Sequence, residues 1–236
     1  MMTIAASRLL WNGCVCFVGI GLPSAACNLA RLTHAPDLVL IYESGTLGTK
    51  PDVLPLSIGD GELAATAACV VPLPEVFAWY LQAGRVDVGF LGAAQIDPYG
   101  NLNSTVIGPY DAPTTRLPGA GGATEIVTHA RRTYAMLKAS PRSFVAQLDF
   151  HTSGRGAAGS GAGGGAPQAV ITDFGVLTPD GPGGELTLDA LYAGATVEEA
   201  RSRVGWPLTV AGTVRAVEPP RIDELTTLRA LQARSR

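Results

Sequence analysis

Short apolar runs alternate along this chain with segments of helical spacing, the order that builds a parallel sheet with helices between its strands. Residues 14–20 form an apolar run ending in Gly19-Ile20-Gly21, and Pro23 follows where a helix begins. Residues 24–33 carry Leu29 and Leu32 at helical spacing, and His34-Ala35-Pro36 stops them. Leu38-Val39-Leu40-Ile41-Tyr42 then reads as a strand buried on both faces. Residues 61–69 and 74–83 are expected to be helical, with Val76, Phe77, Tyr80 and Leu81 making one apolar face. A further buried strand is expected over 86–91.

The pattern changes at Asp97-Pro98-Tyr99-Gly100-Asn101, whose Pro and Gly suit a tight reverse turn, with an antiparallel return strand over 102–107. Gly119-Ala120-Gly121-Gly122 leads into a helix over 124–130. Residues 154–166 are almost all Gly, Ala and Ser and read as a flexible surface loop or a short insertion. Toward the end, 219–233 has an apolar stripe at Ile222, Leu225, Leu228 and Leu231, which predicts a closing amphipathic helix.

With 236 residues and 47% hydrophobic content there is enough apolar material for a sizeable core, and the reading is a single α/β domain over 1–236. A formal net charge of -3, with no run of Lys or Arg, argues against a nucleic-acid surface, so any anionic ligand must be held locally. Neither a signal sequence nor an uninterrupted membrane span is evident, and a soluble cytoplasmic protein is expected. Cys14, Cys16, Cys27 and Cys69 lack metal-ligand spacing, so no metal site and no structural disulfide are expected. Cys14 and Cys16, two apart on a strand, read as small core residues.

Candidate chemistry centres on Glu43. It ends the apolar run, where a strand would present it beyond the carboxyl edge of the sheet, the place where open α/β folds keep ligands. Gly45 and Gly48 let the backbone turn sharply after it. Spacing alone leaves both chemistry and a solvated or capping carboxylate open. Gln95 is either a site amide or a side chain serving neighbouring backbone, and Gly119-Ala120-Gly121-Gly122 is either an anion-binding loop or a simple helix entry. Asp97 and Asn101 shape the turn, and His34, His129 and His151 have no evident catalytic partner. The absence of G-x-G-x-x-G and G-K-[ST] disfavours NAD and nucleoside triphosphates.

Glu43-Ser44-Gly45 after an apolar strand resembles the active-site segment of the small (β) subunit of family I CoA-transferases, especially the glutaconate CoA-transferase type. Val18-Gly19-Ile20-Gly21-Leu22-Pro23, Gly92-Ala93-Ala94-Gln95-Ile96-Asp97-Pro98-Tyr99-Gly100-Asn101 and Gly119-Ala120-Gly121-Gly122-Ala123 resemble further motifs of that family in the same order, with a weaker match from Val170 onward. The resemblance implies an α/β fold, a mostly parallel sheet flanked by helices with an added antiparallel section. It implies that Glu43 is the nucleophile that carries CoA between carboxylic acids through covalent anhydride and thioester intermediates. Backbone N–H groups at Gly121, Gly122 and Ala123, with Gln95, would serve as oxyanion and CoA-binding groups.

No permanently bound cofactor is implied, only a coenzyme A thioester as substrate. The implied partners are an α subunit, in an α2β2 or larger hetero-oligomer, and acyl-CoA and carboxylic acid substrates, with neither nucleic acid nor membrane. Two other readings exist on this fold: hydrolysis, ring opening or decarboxylation of an acyl-CoA, and a non-catalytic acyl-CoA-binding subunit. Relatives with those other reactions tend to lack the glutamate, and the intact Glu43-Ser44-Gly45 beside an intact glycine loop weighs against both.

Overall fold

A computed structural model describes residues 1–155 and 165–234, so most of the Gly-rich stretch expected over 154–166 lies outside the described residues. The fold divides into two compact units, Met1–Phe90 with Pro220–Arg236, and Leu91–Pro219.

The first unit opens with α1 (Met2–Ser7), whose side chains are all buried. The pattern of apolar runs does not predict this helix. β1 (Val15–Phe17) follows, then α2 (Leu22–Leu32), entered through Gly21 at φ 83° with a proline in the first turn. Cys27, Leu29 and Ala30 of α2 are completely buried. β2 (Val39–Ile41) lies parallel to β1, and β3 (Thr46–Leu47) turns straight back antiparallel to β2.

α3 (Gly61–Ala65) is capped by Asp60, whose carboxylate accepts from the Glu62 N–H. It is shorter than the expected 61–69 because Cys69–Val70 forms β4, paired antiparallel with β3. The Ala68 N–H already donates to Leu47 O at 2.9 Å, so sheet pairing takes the backbone groups that a longer helix would have used.

α4 (Leu73–Glu75) continues into a π-helical stretch, Val76–Leu81. The Gln82 N–H bonds Phe77 O at 2.7 Å and the Arg85 N–H bonds Tyr80 O at 2.9 Å, both five-residue steps. The wider turn changes which side chains point inward. Val76 and Leu81 are buried, whereas Phe77 and Tyr80 of the expected apolar face are only half-buried. β5 (Val88–Leu91) then pairs parallel with β1, and the strands of this unit run β4-β3-β2-β1-β5.

In the second unit β6 (Gln95–Ile96) and β7 (Leu102–Asn103) form the expected hairpin. Asp97 shapes its turn, one carboxylate oxygen accepting from the N–H groups of Tyr99 and Asn101 at 2.9 Å each. The return strand does not run through to 107. Asn103 breaks it, its side chain accepting from the Thr105 N–H at 3.0 Å and donating to Val106 O at 2.7 Å. β8 (Val106–Ile107) leaves to pair with β9 (Thr115–Arg116).

α5 (Ala123–His129) starts at the glycine loop as expected, with Gly122 at its N-cap. β10 (Arg132–Met136) and β11 (Ala169–Ile171) are parallel, and β12 (Gly175–Thr178) and β13 (Thr187–Leu191) add an antiparallel section. After α6 (Val197–Ser202), β14 (Thr209–Ala216) lies parallel to β13.

α7 (Ile222–Ala233) returns to the first unit and packs on α2. Its Leu225, Leu228 and Leu231 meet Ile4, Leu29 and Leu54. Ile222 departs from the expected stripe at 78% exposed; two residues on, Glu224 is fully buried.

Candidate active site

Glu43 occupies a hairpin tip just past the carboxyl end of β2. The Tyr42 N–H donates to Thr46 O at 3.1 Å and the Gly45 N–H donates to Tyr42 O at 3.0 Å, leaving Glu43 and Ser44 in the middle of the turn. Gly45, at φ 104°, closes it, as three-residue hairpin loops require. This glycine is needed twice, because a Cβ at 45 would also run into the carbonyl oxygen of Val71. Gly45→Ala is therefore expected to cost about 1–3 kcal/mol of stability, the usual range for forcing a side chain into such a conformation. A urea unfolding curve reads the loss, and an unchanged midpoint would show that the turn relaxes freely.

The Glu43 side chain is half-buried, and its carboxylate has no hydrogen-bond or ion-pair partner among the described residues. Beside it the hydroxyls of Ser44 and Thr46 are buried and likewise unpartnered among the described residues. β1 ends at the same side as β2, since the Val18 N–H bonds Ile41 O at 2.9 Å. Gly19-Ile20-Gly21 therefore follows β1 at the edge of the sheet that carries Glu43. Two grooves on this unit, of about 530 and 410 Å³, are lined by other residues, the second by Ile20, Gly21 and Leu22 at the start of α2.

The other expected site residues belong to the second unit. Gln95 is 5% exposed and bonded through both its amide atoms. Its amide nitrogen donates to Asp149 at 3.1 Å, while its oxygen accepts from the Asn103 amide at 2.7 Å and the Asp149 N–H at 3.1 Å. The Asp149 carboxylate also accepts from the Gly108 N–H at 3.0 Å.

In the glycine loop, Gly119 and Gly121 adopt φ of 99° and 47°. Gly119 is tied both ways to Ser104, N–H to O and hydroxyl to O, each at 2.8 Å. The Ala123 N–H donates to Ala120 O at 2.9 Å, whereas the N–H groups of Gly121 and Gly122 have no partner among the described residues. Thr152 completes the arrangement: it accepts from the Ser104 N–H at 3.0 Å, lies 2.7 Å from the Thr105 hydroxyl, and its carbonyl accepts from Thr124 at 3.2 Å. Residues 102–105 thus join Gln95 to the glycine loop. Asp149 and Thr152 are additions to the expected set, and no local pattern in the sequence marks them.

Residues 1–201 match the sequence model of the Coenzyme A transferase family. The chain belongs to this family. It is 54% identical over 241 residues to the B-type subunit of 3-oxoadipate CoA-transferase from Pseudomonas knackmussii, covering 100% of this chain and 93% of that one. It is 34% identical over 230 residues to the B-type subunit of glutaconate CoA-transferase from Acidaminococcus fermentans, covering 93% and 86%. The crystal structure of the Acidaminococcus fermentans glutaconate CoA-transferase superposes with a TM-score of 0.88 at 33% identity, over 97% of this chain and 92% of that one.

The family's α/β fold is therefore this chain's fold, a mostly parallel sheet with helices and added antiparallel strands. CoA transfer is the family's chemistry, and this chain is a CoA-transferase subunit of the B type. Among the described residues no group of three or more His, Cys, Asp or Glu side chains is placed to hold a metal ion, and no helix is long and apolar enough to cross a membrane.

Proposed function

We propose that this chain is the catalytic β subunit of an acyl-CoA:carboxylate CoA-transferase in which Glu43 is the covalent nucleophile. The observation that carries the proposal is the state of its carboxylate: unpartnered among the described residues, half-buried, and fixed at a glycine-closed hairpin tip at the edge of the sheet. A structural carboxylate would be bonded; a nucleophile must be free.

The chemistry follows from that group. The Glu43 carboxylate attacks the acyl carbon of the CoA thioester, the C–S bond breaks, and an acyl–glutamyl anhydride and a CoA thiolate result. The thiolate attacks the glutamyl carbonyl, the donor acid leaves as a carboxylate, and the CoA is now held on Glu43 as a thioester. The acceptor carboxylate attacks that thioester, releasing the thiolate and forming a second anhydride. Attack of the thiolate on the acceptor's carbonyl makes the new acyl-CoA and frees Glu43. Each bond broken is matched by one formed, so the activated acyl linkage is conserved and CoA enters as a substrate rather than as a resident cofactor.

Every attack puts negative charge on a carbonyl oxygen, and a preorganised donor for such an oxygen is worth about 2.7–4 kcal/mol. The N–H groups of Gly121 and Gly122, unpartnered among the described residues, are our candidates, with Ala123 holding the loop through its bond to Ala120. Gln95 positions the loop through Asn103, and its second amide N–H, undonated among the described residues, keeps it a candidate donor.

An α subunit is proposed as the partner that completes the site, in an α2β2 or larger assembly, because the relatives are named as one subunit, the B type, of such enzymes. The stronger likeness to the protein named for 3-oxoadipate favours a 3-oxo dicarboxylic acid as the exchanged acid. A cytoplasmic setting belongs to the same proposal, supported by Cys14, Cys16, Cys27 and Cys69 not being joined in disulfides.

The test is trapping. The chain co-expressed with its α partner is incubated with acyl-CoA, treated with borohydride or hydroxylamine, and digested for mass spectrometry. The reduced or hydroxamate derivative is expected on Glu43; a derivative elsewhere, or none, would overturn the assignment.

A further inference from the structure

Helix α2 meets the segment that holds Glu43 on both sides through polar contacts of Ser24, Asn28 and Arg31, joined in part through the helix main chain. On the entry side, the fully buried Tyr42 places its hydroxyl 2.9 Å from the Ser24 hydroxyl. The Asn28 amide donates to Ser24 O at 2.9 Å, and its oxygen accepts from Arg31 Nε at 3.3 Å and Nη2 at 3.1 Å. On the exit side, Arg31 Nη2 reaches Pro51 O at 2.8 Å. Tyr42 and Pro51 bracket the segment that holds Glu43. Ser24 and Asn28 are 1% and 0% exposed, so this ladder lies in the core.

These contacts add to what the hairpin does for itself. Backbone bonds close the turn and β4 pairs with β3, but β2 and β3 are joined by a single residue pair, Ile41 with Leu47, so the sheet alone gives the turn few fixed contacts. Directional bonds in a low-dielectric interior set one arrangement. Burial pushes the Tyr42 phenol above its ordinary pKa, so it stays protonated as a hydrogen-bonding partner throughout the working range.

We propose that Asn28 is a positioning residue for transfer: with Ser24 and Arg31 it forms a buried ladder through which α2 sets the place of the Glu43 carboxylate. The proposal rests on reading Glu43 as the nucleophile. The reacting atoms must meet at near-contact distance, and a displacement of about 1 Å can cost on the order of a hundredfold in rate.

The experiment uses the complex with the α partner and measures three things: the single-turnover rate of thioester formation on Glu43, the KM for acyl-CoA, and the thermal midpoint. Asn28→Leu is expected to slow thioester formation about ten- to a hundredfold while KM stays within about twofold. Arg31→Met, at a half-buried position, is expected to give the same signature more weakly and covers the case in which Asn28→Leu does not fold. The double variant should be no slower than Asn28→Leu, because a ladder broken once is not broken further.

Thioester formation at the wild-type rate in either folded variant overturns the proposal, as does a rise in KM matching the loss of rate. Wild-type complex is trapped alongside. A derivative on wild-type Glu43 with unaffected variants sinks the ladder alone, whereas no derivative on wild-type Glu43 sinks the nucleophile and the ladder together.

Discussion

Glu43→Gln is expected to abolish CoA exchange, lowering kcat/KM by on the order of 10⁴-fold or more, since the loss of a covalent nucleophile typically costs that much. An amide of the same shape presents no anionic oxygen and cannot form the anhydride. The side chain is half-buried and bonds nothing among the described residues, so its replacement should leave stability within about 0.5 kcal/mol of wild type. Activity and stability are thereby separated. Glu43→Asp keeps the charge but withdraws it by one methylene, which places its cost at about a hundredfold. A steady-state exchange assay on the assembled enzyme measures both, and exchange at the wild-type rate in either variant would remove Glu43 from the mechanism.

Glu224→Ala should produce a large loss of stability, about 1–3 kcal/mol, as expected when a buried carboxylate that accepts several charge-assisted hydrogen bonds is removed. Arg8 reaches the Glu224 carboxylate with Nε at 2.7 Å and Nη2 at 2.6 Å, and the Arg221 N–H adds a third bond at 2.8 Å. The variant would leave the Arg8 guanidinium, 20% exposed, without this carboxylate. The bonds from the Arg8 side chain chiefly hold the Glu224 carboxyl below its ordinary pKa; burial opposes them, and Arg221 assists. A depressed folded-state pKa gives stability that is complete above the unfolded value and disappears as pH falls through the folded one. Acid should therefore release α7 from α1 and α2. Thermal unfolding across the carboxylate range checks this: wild type should lose stability steeply on acidification, and Glu224→Ala should lose less over the same interval.

How much of the fold is legible in the sequence depends on length of pattern. The run from Leu38 to Tyr42 and the proline-led start of α2 are signalled by several residues acting together, and the structure has both. The Asp97 turn and the glycine entry to α5 are also legible, because their chemistry is local. β3 and β4, at two residues each, are too short to carry a periodicity, so the hairpin that holds Glu43 reads in the sequence only as a sharp turn after a strand. α1 is a short apolar helix without a side-chain cap and carries no start signal. The π-helical winding after α4 shifts the apolar face that 3.6-residue spacing assigns. Side-chain partnerships across long separations leave no local trace. Gln95 stands out as a lone amide, but its partner Asp149 lies 54 residues away. The ladder from Tyr42 to Arg31 is equally invisible until α2 and β2 are folded together.

The first unit is assembled from both ends of the described chain, Met1–Phe90 and the α7 segment after Pro220. During synthesis the ribosome delivers all of Leu91–Pro219 before α7 emerges to cover Ile4 and Leu29. The unit that bears Glu43 therefore waits, with an apolar patch uncovered, while the residues of the second unit are already free to fold. A released chain ending at residue 219 should accordingly resist protease over 91–155 and 165–219 but be cleaved within 1–90.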